Sequence, residues 1–154
     1  MIELGANRYG KAAIRIVRVG RDTTPHALRD VTVAVALEGD FAAAHTDGDN
    51  SLVVATDTMK NTAYAFAAEH LTGAIETYAT ALGRHFLDEP QVDRAIVNVR
   101  EHAWQPIDVA GAPAPDAFVR SGEGTRLATV AVGRDEVVIE VEAPALLVHR
   151  HVLE

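Results

Sequence analysis

A chain of 154 residues with 14 Lys and Arg against 22 Asp and Glu carries a net charge of −8, which argues against non-specific nucleic-acid binding yet leaves room for a small anion held by local cations. It has no cysteine, so disulfides, thiolate zinc sites and cysteine nucleophiles are excluded and a cytoplasmic setting is expected. The length fits a single domain, residues 1–154, able to bury a core without staples, and neither a signal peptide nor a membrane-spanning run is expected.

The first element is a strand over residues 11–19, "KAAIRIVRV", short and rich in Ile and Val. A polar turn around residues 22–25 leads to "DVTVAVALEGDF". There Val31, Val33, Val35 and Leu37 alternate with Thr32, Ala34, Ala36 and Glu38, the period of two of a half-buried strand. The two strands are expected to pair as an antiparallel hairpin. Residues 45–51, "HTDGDNS", read as a loop of turn formers. "LVVA" is then a short strand-like apolar segment running up to Thr56, Asp57 and Thr58.

From Thr58 the spacing of Met59, Ala63, Phe66 and Ala67 predicts a helix. Gly73 interrupts it. Ile75, Tyr78, Ala79, Leu82 and Phe86 then form the stripe of a second helix, with Pro90 beyond its end. Strand character returns in "RAIVNVREHAW", where Ala95, Val97 and Val99 alternate with Asn98, Arg100 and His102. A Pro/Gly/Ala loop over residues 106–117 is expected before a strand in "TRLATVAVG". "GRDE" predicts a hairpin turn into "VVIEVEA", with Val137, Ile139 and Val141 on one face. The order ββααββ plus one strand predicts an α+β fold with an antiparallel sheet and both helices on one face. The other face, bearing Asn98, Arg100 and His102, is expected to line something wet or to meet another subunit.

Lys11 stands where a turn enters the first strand. As a solvated lysine it needs no explanation. As a proton acceptor it would need burial to bring its amine down from about 10.4 towards neutrality. Thr56 and Asp57 sit at a helix start, where either side chain can cap a free backbone N–H. The same helix start can receive an anion, and both readings can hold together. Among seven histidines only His149 and His151 stand two apart, able to share a strand face, and no third metal ligand accompanies them. His85 reads as a capping or exposed residue near a helix end. Arg29, Arg94 and Arg100 read as surface or lumen charges. No phosphate-binding glycine loop, GxSxG or HExxH occurs.

"YGKAAIRIVRV", "HALRDVTVAVALEGDF", "HTDGDNSLVVATDTMKNTAYAFA" and "ALGRHFL" together resemble urate oxidase (uricase). The resemblance runs from about residue 5 to residue 132, and the tail 133–154 diverges from it. It implies the tunnelling fold, in which sheets with helices on one face assemble into a multi-subunit barrel. It implies oxidation of urate by O2 and water to 5-hydroxyisourate and H2O2, with no cofactor and no metal. By position in the motifs, Lys11 and Thr56 take the catalytic roles, and Thr56 with Asp57 binds the purine. The family carries a second tandem domain that brings a stacking phenylalanine, an arginine and glutamine clamp, and an asparagine and histidine for oxygen and proton handling. The chain is expected to stop before all of these. "WQPI" also lacks an arginine usual after the tryptophan, and "PDAFVR" lacks a histidine usual before the phenylalanine. The expectation is therefore a half-unit, assembling as a tetramer or larger homo-oligomer or with a second-domain uricase partner. The alternative is a non-catalytic tunnelling-fold oligomer or purine-binding scaffold. Should the chain act alone, Arg94, Arg100, Phe118 and Arg120 are the residues to examine first.

Overall fold

The computed structural model describes residues 4–143 and 146–153. The elements run β1 (Tyr9–Gly20), β2 (Ala27–Gly39), α1 (Ala42–Thr46), α2 (Thr56–His70), α3 (Ile75–Phe86), β3 (Val92–Val109), β4 (Ala112–Gly133), β5 (Val137–Ala143) and β6 (Leu146–Leu153). The six strands form one antiparallel sheet in chain order. The α+β class and the antiparallel sheet are as the periodicity predicts, but the order is ββαααββββ: a short helix, α1, precedes α2 and takes His45 and Thr46 out of the expected 45–51 loop. The barrel is a matter of assembly and lies beyond a single protomer.

Alternation decides which face is covered. Val31, Val33, Val35 and Leu37 on β2 and Ala95, Val97 and Val99 on β3 are all buried. They pair across the two strands, Val33 opposite Val99 and Val35 opposite Val97, so their side chains share one face. Against that face lie the buried stripe of α2, Met59, Ala63 and Ala67, and that of α3, Ile75, Tyr78, Ala79, Leu82 and Phe86. Burying each larger apolar side chain of this set contributes about 1.5–3 kcal/mol. Small residues set the closeness of α3: a Cβ at Gly83 would stand 2.7 Å from a Val132 methyl. Tyr78 donates its hydroxyl to the Ala63 carbonyl at 2.9 Å and so ties α3 to α2. Burial pushes the Tyr78 phenol well above its ordinary range.

Ion pairs fix the ends of the helices to the sheet. Arg29 bonds the Gly73 carbonyl at 2.7 Å and Glu101 at 2.6 Å, holding the turn between α2 and α3. Arg126 on β4 bonds Glu76 in the first turn of α3 at 2.7 Å. Arg29 is thus a structural staple, not one of the surface or lumen charges that the sequence suggests.

Four more local expectations need correction. The segment "LVVA" pairs with no strand. α2 begins at Thr56, two residues before the predicted start. The tail adds β6, opposite β5; its leading run of consecutive apolar residues hides the period of two. This strand sets His149 opposite Val141 and His151 opposite Ile139.

The fourth correction is larger. Residues 106–117 are not a loop but the far end of a long β3–β4 hairpin, with Val109 opposite Ala112. Its two-residue turn holds Ala110 at φ 55° and Gly111 at φ 85°. Positive φ at both positions is what a tight hairpin turn of type I′ requires, and alanine tolerates it poorly. Ala110→Asn is therefore expected to stabilise the protein by about 0.5–1 kcal/mol. A rise in the urea midpoint at unchanged slope would show it; no change would mean that the turn is not strained.

Candidate functional site

The site begins with three consecutive residues of β1. Tyr9 packs edge-on against Phe41, with ring centroids 4.6 Å apart. Its hydroxyl accepts the Val54 N–H at 2.7 Å and lies 3.3 Å from the Val54 carbonyl oxygen, to which it donates. Burial raises the Tyr9 phenol; the bond to the Val54 backbone partly offsets this. Val54 lies two residues before Thr56, and Tyr9 two residues before Lys11. One phenol therefore clasps the lead-in of α2 to the start of β1. Gly10 between them is obligatory, because a Cβ there would come within 1.9 Å of the Val35 carbonyl oxygen.

Lys11 pairs opposite Val35, and Ile14 opposite Val33. In an unbroken strand, residues three apart face opposite ways. Here Ala12 and Ala13 together oppose one residue, a β-bulge, with Ala13 at φ 58°. The bulge restores the parity, so Lys11 joins Ile14 and Ile16 on the face that carries the helices.

Thr56 and Asp57 do not cap α2. The N-cap is Ala55, no side chain bonds the free N–H groups, and the first helical bond runs from Met59 N–H to the Ala55 carbonyl. Thr56 falls one position too late and Asp57 two: they are the first two helical residues, and their side chains are exposed. Asp57 turns to Lys60 one turn on, at 2.9 Å. That hydrogen bond, then the Lys60 charge, holds the Asp57 carboxyl below its usual range, and Lys11 adds a weaker pull in the same direction. No hydrogen bond joins Lys11 to Thr56 within the protomer. The two are brought to one sheet edge, close enough for the Lys11 charge to be felt at Asp57, beside backbone N–H groups at the start of α2 that no side chain caps.

A second polar cluster, on the open face, was not read from the sequence. Asp30 is only 2% exposed. It accepts two bonds from Arg15, each 2.6 Å, and one from the Trp104 indole at 2.8 Å. Burial alone would raise its carboxyl, but the Arg15 and Trp104 bonds and the Arg15 charge outweigh it, so the group sits below its usual range. Beside it, His102 lies between Thr32 Oγ1, 2.8 Å from Nε2, and Arg120, 2.9 Å from Nδ1. Arginine can only donate, so Nδ1 is the acceptor and the ring proton resides on Nε2, facing Thr32. Arg120 also covers the Trp104 ring at 5.8 Å. The cluster ties the root of the β3–β4 hairpin to β1 and β2.

A sequence profile of the uricase family matches residues 7–131. The chain belongs to the uricase family. It is 38% identical over 145 residues to the uricase of Dictyostelium discoideum, a match covering 92% of this chain and 50% of that protein. It is 36% identical over 129 residues to that of Aspergillus flavus, covering 82% and 43%. The crystal structure of uricase from Arthrobacter globiformis superposes with a TM-score of 0.81 at 37% identity, over 92% of this chain and 49% of that one. The chain thus spans about half the length of the uricases it matches.

Two measurements probe the Tyr9 clasp and the polar cluster. Tyr9→Phe keeps the ring on Phe41 but leaves the Val54 N–H without its partner. It is expected to cost about 1–3 kcal/mol of stability and to speed amide exchange at residues 54–58. Unchanged exchange there would show that the clasp does not hold the lead-in. The other concerns His102. Burial first, then the charges of Arg15, Arg120 and Arg100, lower its pKa from 6.5, with Asp30 opposing. A native value below the unfolded one means that its contribution is complete above pH 6.5 and is lost as pH falls through the native value. Unfolding curves between pH 7 and 5 are expected to shift to lower denaturant, and His102→Gln to flatten that shift.

Proposed function

We propose that this chain supplies one half of a urate oxidase site. Lys11 and Thr56 form the proton relay, and the Asp57 backbone N–H with the Thr56 hydroxyl holds the purine edge. The observation that carries the proposal is the clasp of Tyr9 on Val54, which brings the lysine strand and the start of α2 to one edge. Family membership supports it, since these residues fall in the motifs that carry the resemblance.

The chemistry asks little of the protein beyond placement and proton handling. A urate anion gives two electrons to O2. The oxidised ring takes up water, leaving 5-hydroxyisourate, and the reduced oxygen leaves as H2O2. Threonine alone is too weak an acid to relay a proton. A neutral lysine amine within reach can take the Thr56 proton as Thr56 takes one from urate. Uncapped N–H groups at the start of α2, strengthened by its dipole, suit the delocalised charge of the substrate.

The half-site offers neither a stacking ring nor a bidentate arginine beside Thr56. These are the groups that orient a flat anion, and orientation accounts for a large part of catalysis. We therefore assign the remaining groups to a second tunnelling-fold domain, supplied by a partner or by self-assembly into a tetramer or larger ring. Open strand edges at β1 and β6 favour such closure. A purine-binding or structural oligomer without turnover is the second reading, favoured by the lack of a direct Lys11–Thr56 bond in the protomer.

The test follows loss of urate's ultraviolet absorbance under oxygen, for the chain alone and with a separately expressed second uricase domain. Little turnover is expected alone and a clear gain with the partner. Lys11→Ala or Thr56→Ala is expected to remove that gain by at least about two orders of magnitude, the scale of a lost general acid–base group. Oligomer formation with urate binding but no turnover under any pairing would establish the second reading instead.

A further inference from the structure

We propose that the open face of the sheet holds a binding site for a small oxyanion, a carboxylate or a phosphate, centred on Arg100. A cavity of about 250 Å³ opens there between β2, β3 and β4, lined by Thr32, Ala34, Asn98, Arg100, His102 and Leu127. It lies on the opposite side of the sheet from the face that Lys11 joins.

Thr32, Asn98 and Arg100 each carry a donor that no acceptor among the described residues takes. Arg100 pairs opposite Thr32 and Leu127 on the neighbouring strands, its charge is felt at His102 beside it, and no carboxylate pairs with it among the described residues. Asn98 accepts the Thr129 hydroxyl on its carbonyl oxygen at 2.7 Å, which leaves its amide N–H groups to donate. Arg120 fixes the His102 proton on Nε2, so His102 donates to the Thr32 oxygen. The Thr32 hydroxyl proton is then turned to some other acceptor. Among the described residues no carboxylate lines the cavity, although the chain as a whole is acidic. The nearby Asp30 is already satisfied by Arg15 and Trp104.

A guanidinium fork, a primary amide and a hydroxyl around one cavity, with no competing acceptor, match the oxygens of a carboxylate or a phosphate. The size admits an inorganic ion or a small organic acid. This site does not depend on the urate reading, because neither Lys11 nor Thr56 takes part in it.

Calorimetric titration of the full chain with inorganic phosphate, and separately with acetate, at constant ionic strength tests the proposal. Saturable binding is expected, weakened at least tenfold in Arg100→Gln. Asn98→Asp, which keeps the Thr129 bond but brings a negative charge into the cavity, is expected to abolish it and serves if Arg100→Gln fails to fold. Arg18→Gln on β1, whose native side chain bonds the Ala68 carbonyl of α2 on the helix side of the sheet, is expected to bind as the parent does. A preference for phosphate assigns the site to phosphoryl groups, and a preference for acetate to carboxylates. Heats no larger than with sodium chloride, or equal heats in Arg100→Gln and Asn98→Asp, would overturn the site.

Discussion

The hydroxyl of Tyr9 on the backbone of Val54 is the contact on which the candidate site depends. Residues 47–55 bridge from α1 to α2 with no regular structure beyond turns, and nothing in their own sequence sets where α2 begins in space. The phenol gives the lead-in a fixed partner, and Phe41 fixes the phenol from behind. Gly10 lets β1 lie close enough to β2 for this reach. The bulge at Ala12 and Ala13 then turns Lys11 to the side of α2. Tyrosine, glycine and lysine in a row thus have three separate physical duties, one each of clasp, clearance and charge.

The parts legible in the sequence were those governed by local periodicity. The buried side of β2 follows from Val31, Val33, Val35 and Leu37 alone, and the stripe of α3 from Ile75 to Phe86 is fully buried as its spacing predicts. Where composition and periodicity disagreed, composition misled. Residues 106–117 have the prolines, glycine and alanines of a loop, yet pairing with the opposite strand holds them extended. At Thr56 and Asp57 the residue types of a cap occur one and two positions late, because the clasp on Val54 and not a side-chain cap fixes the helix start. The Asp30 cluster was invisible for another reason. Its members, Arg15, Asp30, His102, Trp104 and Arg120, come from four strands, and no local pattern brings them together.

The acidic character of the chain is unevenly used. Glu76 and Glu101 face arginines at the helix ends in partly buried pairs. Their value is geometric, since they fix where α2 turns into α3. Asp30 is different: buried and fully bonded, it makes the root of the β3–β4 hairpin costly to disturb. A polar cluster of this kind holds together only while every member is satisfied.

The bulge in β1 also bears on how this segment can change through descent. A strand reads side chains by parity, so substitutions at Ala12 leave the neighbours where they are. Loss or gain of a single residue between Lys11 and Ile14 exchanges inside for outside along the rest of the strand. Either the lysine leaves the helix side, or Ile14 and Ile16 leave the core. The segment is therefore open to drift in letters and closed to drift in length, and related chains that keep both the core and the lysine are bound to keep the count.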